Sequence, residues 1–419
     1  MTRDNTLRIA VRNYPPFEET IHLQWSHFEA EAQTGLTLDL VSLDLHPLEE
    51  ALFTTHGMTN GDWDIAFVAT DWIASMHAQR CALDLAPLLA ADPPQDYPHG
   101  WTDSLLRLQQ IDGTIQGVPF HDGPECLIYR RDLFEDPAIS ARYQQQFGEP
   151  LAPPKTWAAF HRTARFLHDP AHNLYGTAFA AYPDGHNSVY DFLLQLWTRG
   201  GELFDASGTL HFATPEAEAA LTFYRNLLAD QTAVHPACHT LDSVQAGLAF
   251  AAGNVAMMIN WFGFATMAHT SPDSKVRSLV DIANIPSAEQ GSTASLNVYW
   301  ILSIAAGSPH QTIAWNFLRH NLSPQMDKLT TTLGAIGCRK STWSDPEVNA
   351  AIPFYHRIEQ LHASAREIPQ RPDWPRIAAI IDRLVTATIT TDTPIADLLA
   401  MADESFTGPS DNSHTPPPA

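Results

Sequence analysis

Short apolar segments alternate with segments of helical period along the whole chain, and this alternation limits the fold more strongly than any other feature. Some of the strand candidates are nearly continuous apolar runs, which is typical of strands covered on both faces. The candidates are residues 7–11, 36–41, 64–70, 117–120, 126–130, 255–260 and 298–304. A chain of 419 residues exceeds the size of one ordinary core. The sequence therefore predicts an α/β protein with two lobes.

Capping residues mark the starts of several helices. Thr156 precedes an apolar helical face, and Thr214 is followed by proline at the first helical position. Ser308 and Gln311 have the spacing of a capping box. A last helical region is expected from about residue 375 to residue 401.

The charge balance argues against several classes of partner. Lys and Arg number 24 and Asp and Glu 47, which gives a formal net charge of −23. Such a surface repels phosphate backbones and anionic lipid. No run approaches the roughly 18 apolar residues of a membrane-spanning helix. Neither a nucleic-acid partner nor membrane insertion is expected.

The cysteines Cys81, Cys126, Cys238 and Cys338 lie far apart and form no CxxC pair, which argues against a zinc ribbon or a dithiol redox site. One or two disulfides remain open, although Cys126, in the apolar run CLIY, is better interpreted as a buried thiol. The first residues lack the pattern of a signal peptide, so either a signal is removed or the protein is cytosolic. Residues 407–419 are rich in Pro and Ser and are expected to be disordered.

Six segments, taken in chain order, resemble the family of extracellular solute-binding proteins that serve sugar ABC transporters. Each segment is weakly specific alone, but the six stand in the family's order across nearly the whole chain. One departure is Asn254, which stands where the family often has Lys. The segments are GDWDIAFVATDWIASM with LDLAPLL, IDGTIQGVPFHDGPECLIYRRDLFED, PPKTWAAFHRTARFL, FAAGNVAMMINWFGF, SPHQTIAWNFLRHNLSPQ and CRKSTWSDPEV.

The resemblance implies the type II periplasmic-binding-protein fold, in which each lobe is a mostly parallel sheet flanked by helices. It places lobe one at 1–121 and 285–330 and lobe two at 126–280 and 337–406. The chain would cross between the lobes three times, near 120–126, 280–286 and 328–337.

The resemblance also implies a function. The chain would be the receptor of an ABC importer, a periplasmic or otherwise extracytoplasmic monomer that catalyses nothing and needs no cofactor or metal. Its partners would be a small carbohydrate or related polar solute and the permease subunits in the membrane. The solute would be captured in the cleft between the lobes by closure of the hinge.

Candidate ligand-binding residues follow the ends of the strands, because open α/β sheets bind ligands beyond the carboxyl ends of their strands. A sugar presents an apolar C–H face and a rim of hydroxyls, which suit aromatic rings and planar hydrogen-bonding groups respectively. The candidates are Asn13, Tyr14, Asp71, Trp72, His121, Asp122, Tyr182, His186, Asn187, Asn260, Trp261, Tyr299, Trp300 and Arg339.

Several of these residues also have structural interpretations. Asp71 is equally placed to cap a helix, and Trp72 to pack on one. Asp122 and the glycine after it suit a turn. Tyr299 and Trp300 point to opposite faces of their strand, so at most one of them faces a ligand.

Two other functions remain open. A glycoside-acting enzyme needs two convergent carboxylates, which sequence cannot exclude, but no GxSxG, HExxH, Walker-type or GxGxxG motif is present. The same fold could instead bind a polyamine, an amino acid or a metal complex. His235, Cys238 and His239 lie close together, but their spacing suits a closed metal site poorly, and a surface cluster is the favoured interpretation.

Overall fold

The computed structural model describes residues 5–407, in which strands and helices alternate as expected. The expected disordered tail therefore lies outside the described residues, apart from residue 407, which ends the last helix. The strands are β1 (Thr6–Arg12), β2 (Thr37–Leu43), β3 (Ile65–Ala69), β4 (Gln110–Ile111), β5 (Thr114–Ile115), β6 (Val118–His121), β7 (Glu125–Arg130), β8 (Tyr175–Ala178), β9 (Val255–Trp261), β10 (Val280–Ala283), β11 (Ser295–Asn297), β12 (Trp300–Ile304) and β13 (Ala365–Glu367).

The helices vary from single turns to long amphipathic elements. They are α1 (Pro15–Ala32), α2 (Leu45–Glu49), α3 (Ile73–Gln79), α4 (Ala86–Ala91), α5 (Asp103–Leu108), α6 (Arg131–Glu135), α7 (Pro137–Phe147), α8 (Trp157–Leu167), α9 (Asn187–Trp197), α10 (Pro215–Ala229), α11 (Ser243–Ala251), α12 (Phe262–Thr270), α13 (Gln311–Asn321), α14 (Pro324–Thr332), α15 (Lys340–Trp343), α16 (Pro346–Ala351), α17 (Ile358–Ala363), α18 (Trp374–Thr390) and α19 (Ile395–Thr407). No helix of the described range combines the length and the apolar composition needed to cross a membrane.

The chain divides into two compact units. Unit 1 consists of Met1–Cys126, Trp261–Pro272 and Ser295–Pro372, and unit 2 consists of Leu127–Asn260, Asp273–Ala294 and Asp373–Ala419. These boundaries differ from the expected ones, since residues 261–272 and 337–372 belong to unit 1 and residues 285–294 belong to unit 2.

Aromatic packing and strand pairing explain that difference. The ring of Phe262 in α12 lies 5.8 Å from Phe354 and 5.5 Å from Tyr355, centroid to centroid. Strand β13 pairs in parallel with β11. These contacts attach the segments to the core of unit 1, and they join residues too distant in sequence for local patterns to show.

The sheet of unit 1 has the order β2-β1-β3-β12-β6. Strands β1, β2 and β3 are parallel, whereas β12 runs antiparallel to β3 and to β6. The carboxyl ends of β1, β3 and β6 therefore share one edge with the amino end of β12. Register confirms this arrangement, because Trp300 at the start of β12 stands opposite both Ala69 and His121 at the ends of their strands.

The sheet of unit 2 has the order β10-β7-β9-β8. Strands β8 and β9 are parallel, and β10 is antiparallel to β7. The central strands are almost entirely buried, in agreement with their apolar sequences. Helices α9, α10 and α18 pack against one another in the same unit.

Two of the three predicted caps form. Thr156 and Thr214 each accept a hydrogen bond from the backbone N–H three residues later. The prediction of a capping box at Ser308 is wrong, because α13 begins only at Gln311. The Ser308 hydroxyl instead accepts the N–H of His310 and donates to the buried carboxylate of Asp64. That carboxylate is a stronger acceptor than any group on the helix itself.

Candidate ligand-binding site

Four of the predicted residues lie together at the shared strand edge of unit 1, and three of them surround the ring of Phe17. Ring centroids of Phe17 lie 5.0 Å from Tyr14, 4.7 Å from His121 and 6.3 Å from Trp300. Trp300 in turn lies 5.8 Å from Trp72, with the two ring planes perpendicular. We call these five residues the aromatic cluster.

Phe17 is the member of the aromatic cluster that was not predicted, because it does not follow the end of a strand. It lies in the first turn of α1, three residues after Tyr14 and directly after two prolines. Residues three apart share a helix face. The i+3 spacing from Tyr14 is the signal that could have identified Phe17.

His121 in the aromatic cluster is held as a neutral hydrogen-bond donor. Its Nδ1 accepts the backbone N–H of Ile336 at 2.8 Å, so the proton of the neutral ring resides on Nε2. Burial lowers the pKa of His121 to about 4, against the opposing charge of Asp122. At neutral pH the imidazole therefore offers one N–H of fixed position, which suits the lone pair of a hydroxyl.

Asn13 and Asp71 lie beside the aromatic cluster in sequence. Asn13 is exposed and donates from Nδ2 to Asp44 at 3.1 Å. Asp71 lies in the short 3-10 turn between β3 and α3. It does not cap α3, whose N-cap position is Trp72 and which has no side-chain cap. A role for Asn13 and Asp71 in binding stays a prediction.

Tyr299 and Asp122 are fully buried within unit 1. The hydroxyl of Tyr299 donates to the carbonyl of Leu105 at 2.5 Å. One carboxylate oxygen of Asp122 lies 2.7 Å from Nε2 of His362, whose ring stacks on Trp343. The other carboxylate oxygen of Asp122 has no hydrogen-bond partner among the described residues. Because both side chains are buried and bonded within unit 1, we leave them out of the proposed site.

Arg339 is also structural in this arrangement. Its guanidinium is 1% exposed and donates to the carbonyl oxygens of Gln95 and Leu322, at 3.1 and 2.8 Å. It also pairs with Asp96 at 3.0 Å and lies 4.4 Å above the ring of Trp101. Nε of Arg339 has no hydrogen-bond partner among the described residues. Because both terminal nitrogens are engaged, the proposed site leaves out Arg339 as well.

Unit 2 carries three further candidates on the loop between β8 and α9. Tyr182 is 45% exposed, and its backbone N–H donates to Leu241. His186 and Asn187 follow at the start of α9. We call residues 182–187 the 182–187 loop.

Asn260 and Trp261 end strand β9 but fall in different units. Asn260 is buried, and its Nδ2 donates to the carbonyl of Ser243 at 2.9 Å. Trp261 is half-buried and occupies the N-cap position of α12. Their predicted roles in binding remain predictions.

The described residues contain no group of three or more metal-ligating side chains in a position to hold a metal ion. The expectation of a surface cluster near His235 is wrong for Cys238, which is buried and accepts the N–H of Phe179.

All four cysteines are buried free thiols, so no disulfide forms among them. The interpretation of Cys126 as a buried thiol is confirmed.

Residues 28–353 match the family described as bacterial extracellular solute-binding protein. The protein belongs to this family, as the match covers well over half of the chain. A mannitol-binding protein from Pseudomonas aeruginosa is 23% identical over 399 residues, which are 90% of this chain and 86% of that protein.

Solved structures of the same class confirm the predicted fold. Maltose-bound MalE3 of T. maritima superposes with a TM-score of 0.84 at 20% identity, covering 96% of this chain and 99% of that one. A solute-binding protein of an ABC transporter from Agrobacterium radiobacter K84, in complex with ribitol, gives 0.83 at 23% identity, with 96% and 98% covered. One from Agrobacterium vitis S4 with bound D-mannitol gives 0.81 at 21% identity, with 95% and 96% covered.

Proposed function

We propose that this protein is the substrate-binding receptor of an ABC importer and that its ligand is a sugar or a polyol. It acts outside the cytoplasm, delivers its ligand to the permease subunits of the importer, and catalyses no reaction. The observation that carries the proposal is the aromatic cluster at the strand edge of unit 1.

The chemistry of the cluster supports a hydroxyl-rich ligand. Trp300 is half-buried and offers indole surface that suits the C–H groups of a carbohydrate, and the buried Trp72 packs against it. His121 adds a single neutral donor of fixed direction beside these rings. A neutral donor binds a hydroxyl oxygen without the desolvation cost that a buried charge would add.

The relatives favour small polyols among the carbohydrates. The curated relative is named for mannitol, and two of the similar structures contain ribitol and D-mannitol. The chain covers nearly the full length of each of these proteins. Mannitol and ribitol are accordingly the first ligands to test.

The test is a thermal-shift screen followed by titration calorimetry. The arms are mannitol, ribitol, maltose, a polyamine (putrescine) and buffer alone. A ligand that binds the folded state raises the melting temperature. Binding of a sugar or polyol supports the proposal, whereas binding of putrescine with no response to any sugar or polyol overturns it.

Two further measurements test the absence of catalysis and the closure of the hinge. Incubation with a bound oligosaccharide should leave it intact, and cleavage would contradict the absence of catalysis. The hinge closure implied by the family resemblance predicts a smaller radius of gyration in solution scattering when ligand is bound. Identical dimensions with and without a tightly bound ligand would refute closure.

A further inference from the structure

We infer that Asp382 in α18 is a positioning residue for ligand binding, because it anchors the 182–187 loop of unit 2. The inference rests on the proposed function, since it takes the loop residues Tyr182, His186 and Asn187 to contact the ligand. Asp382 itself contacts no ligand.

The 182–187 loop is ordered internally by Asp184. One carboxylate oxygen of Asp184 accepts the backbone N–H groups of His186 and Asn187, each at 2.9 Å. The other oxygen accepts the side-chain amide of Asn187. Asp184 therefore sets the local turn and the start of α9, but it connects the loop to nothing outside itself.

Asp382 supplies a side-chain connection from outside the loop, in addition to the backbone hydrogen bond from Tyr182 to Leu241. Its carboxylate accepts the hydroxyl of Ser188, and the backbone N–H of Gly185 favours its charged form, which lowers the pKa of Asp382. Gly185 has φ = +76°, in the left-handed region that favours glycine. The Ser188 hydroxyl, directly after Asn187, thus binds a carboxylate on α18, a helix that packs against α9 in the same unit.

The hydrogen bond to Asp382 would act by raising the fraction of molecules in which the loop is correctly placed for binding. A loop that is ordered before the ligand arrives spares the binding step the entropy cost of ordering it. If loss of the anchor leaves the loop correctly placed in about a tenth of the molecules, the apparent Kd rises about tenfold. Burial raises the pKa of Asp382, against the opposing effect of the Ser188 hydrogen bond.

Asp403 in α19 provides a matched control within unit 2. It accepts the backbone N–H groups of Phe212 and Ala213, at 2.7 and 3.1 Å. Asp403 thus anchors a loop as Asp382 does, but that loop carries none of the candidate ligand-binding residues. Asp403→Ala should lower stability and leave ligand affinity unchanged.

The experiment compares Asp382→Ala, Asp382→Asn and Asp403→Ala with the natural protein. Calorimetry with mannitol or ribitol gives Kd, thermal unfolding gives stability, and hydrogen exchange reports the amide of Gly185. We expect Asp382→Ala to raise Kd about tenfold and to speed exchange at Gly185. Asp382→Asn, which retains a side-chain oxygen acceptor, should recover most of the affinity.

The outcomes separate this inference from the proposed function. If the natural protein binds no sugar or polyol, the proposed function fails. If it binds one and Asp382→Ala binds equally well, only the positioning role is overturned. Equal losses of affinity in Asp382→Ala and Asp403→Ala would also overturn it, because the effect would then reflect general stability.

Discussion

The guanidinium of Arg339 donates to the carbonyl oxygens of Gln95 and Leu322 and pairs with Asp96, all in unit 1. We consider the substitution Arg339→Met, which keeps much of the aliphatic bulk and removes the guanidinium.

The expected loss follows from the partners of the guanidinium. Two hydrogen bonds from a charged donor reach the carbonyl oxygens of Gln95 and Leu322, and each such bond contributes about 1.5–3 kcal/mol. The contact above Trp101 adds about 0.5–2 kcal/mol. The pair with Asp96 adds at most about 1 kcal/mol, because that side chain is 59% exposed.

The sum of these contributions overstates the loss in free energy of unfolding. The thioether of the new methionine still packs, and some water reaches the freed carbonyl oxygens. We expect Arg339→Met to lower the free energy of unfolding by about 3–5 kcal/mol, near the lower end of the summed contributions. Urea unfolding followed by circular dichroism measures this, with each transition fitted separately.

Arg319→Met is the matched control. Arg319 pairs with Asp92 at 2.9 Å, but the two side chains are 43% and 56% exposed. Removing this pair should change the free energy of unfolding by at most about 1 kcal/mol. If Arg339→Met instead weakens ligand binding at unchanged stability, Arg339 contacts the ligand and the structural reasoning is refuted.

Three further predictions concern the candidate site and two buried titrating groups. Trp300→Ala should weaken sugar or polyol binding by about 1–3 kcal/mol, the cost of losing a large buried side chain, and an unchanged Kd in calorimetry would remove Trp300 from the site. Burial lowers the pKa of His121 to about 4, so the unfolded state binds more protons between about pH 4 and 6.5 and stability should rise with pH across that window. His121→Gln should flatten this part of the stability profile, and a profile identical to that of the natural protein would contradict the assignment. Burial raises the pKa of Asp191 to about 7 despite its hydrogen bond from Tyr224, so its contribution to stability is present below about pH 4 and is lost as the pH rises through 7. Asp191→Asn should therefore be more stable than the natural protein at pH 8 and no more stable near pH 4, as measured by urea unfolding at both pH values.

Sequence by itself determined the fold class and one edge of the candidate site. Strand ends follow directly from the apolar runs, so Tyr14, Trp72 and His121 were identified from their places just after those runs, and Trp300 from its place near the start of one. The parallel order of β1 and β3 then brings the ends of their strands to one edge. Positions of this kind depend on local pattern and on chain order, which the sequence states explicitly.

Tertiary structure alone decided what each polar side chain binds. Ile336 fixes the ring of His121 across 215 positions, and Asp96 pairs with Arg339 across 243. Asp382 reaches the 182–187 loop from a helix 194 positions beyond Ser188. Local preferences act over a few residues, whereas the partner of a buried polar group is set by which segments pack together. For this reason a sequence that indicated Arg339 as a ligand contact could not show that backbone carbonyls already surround it.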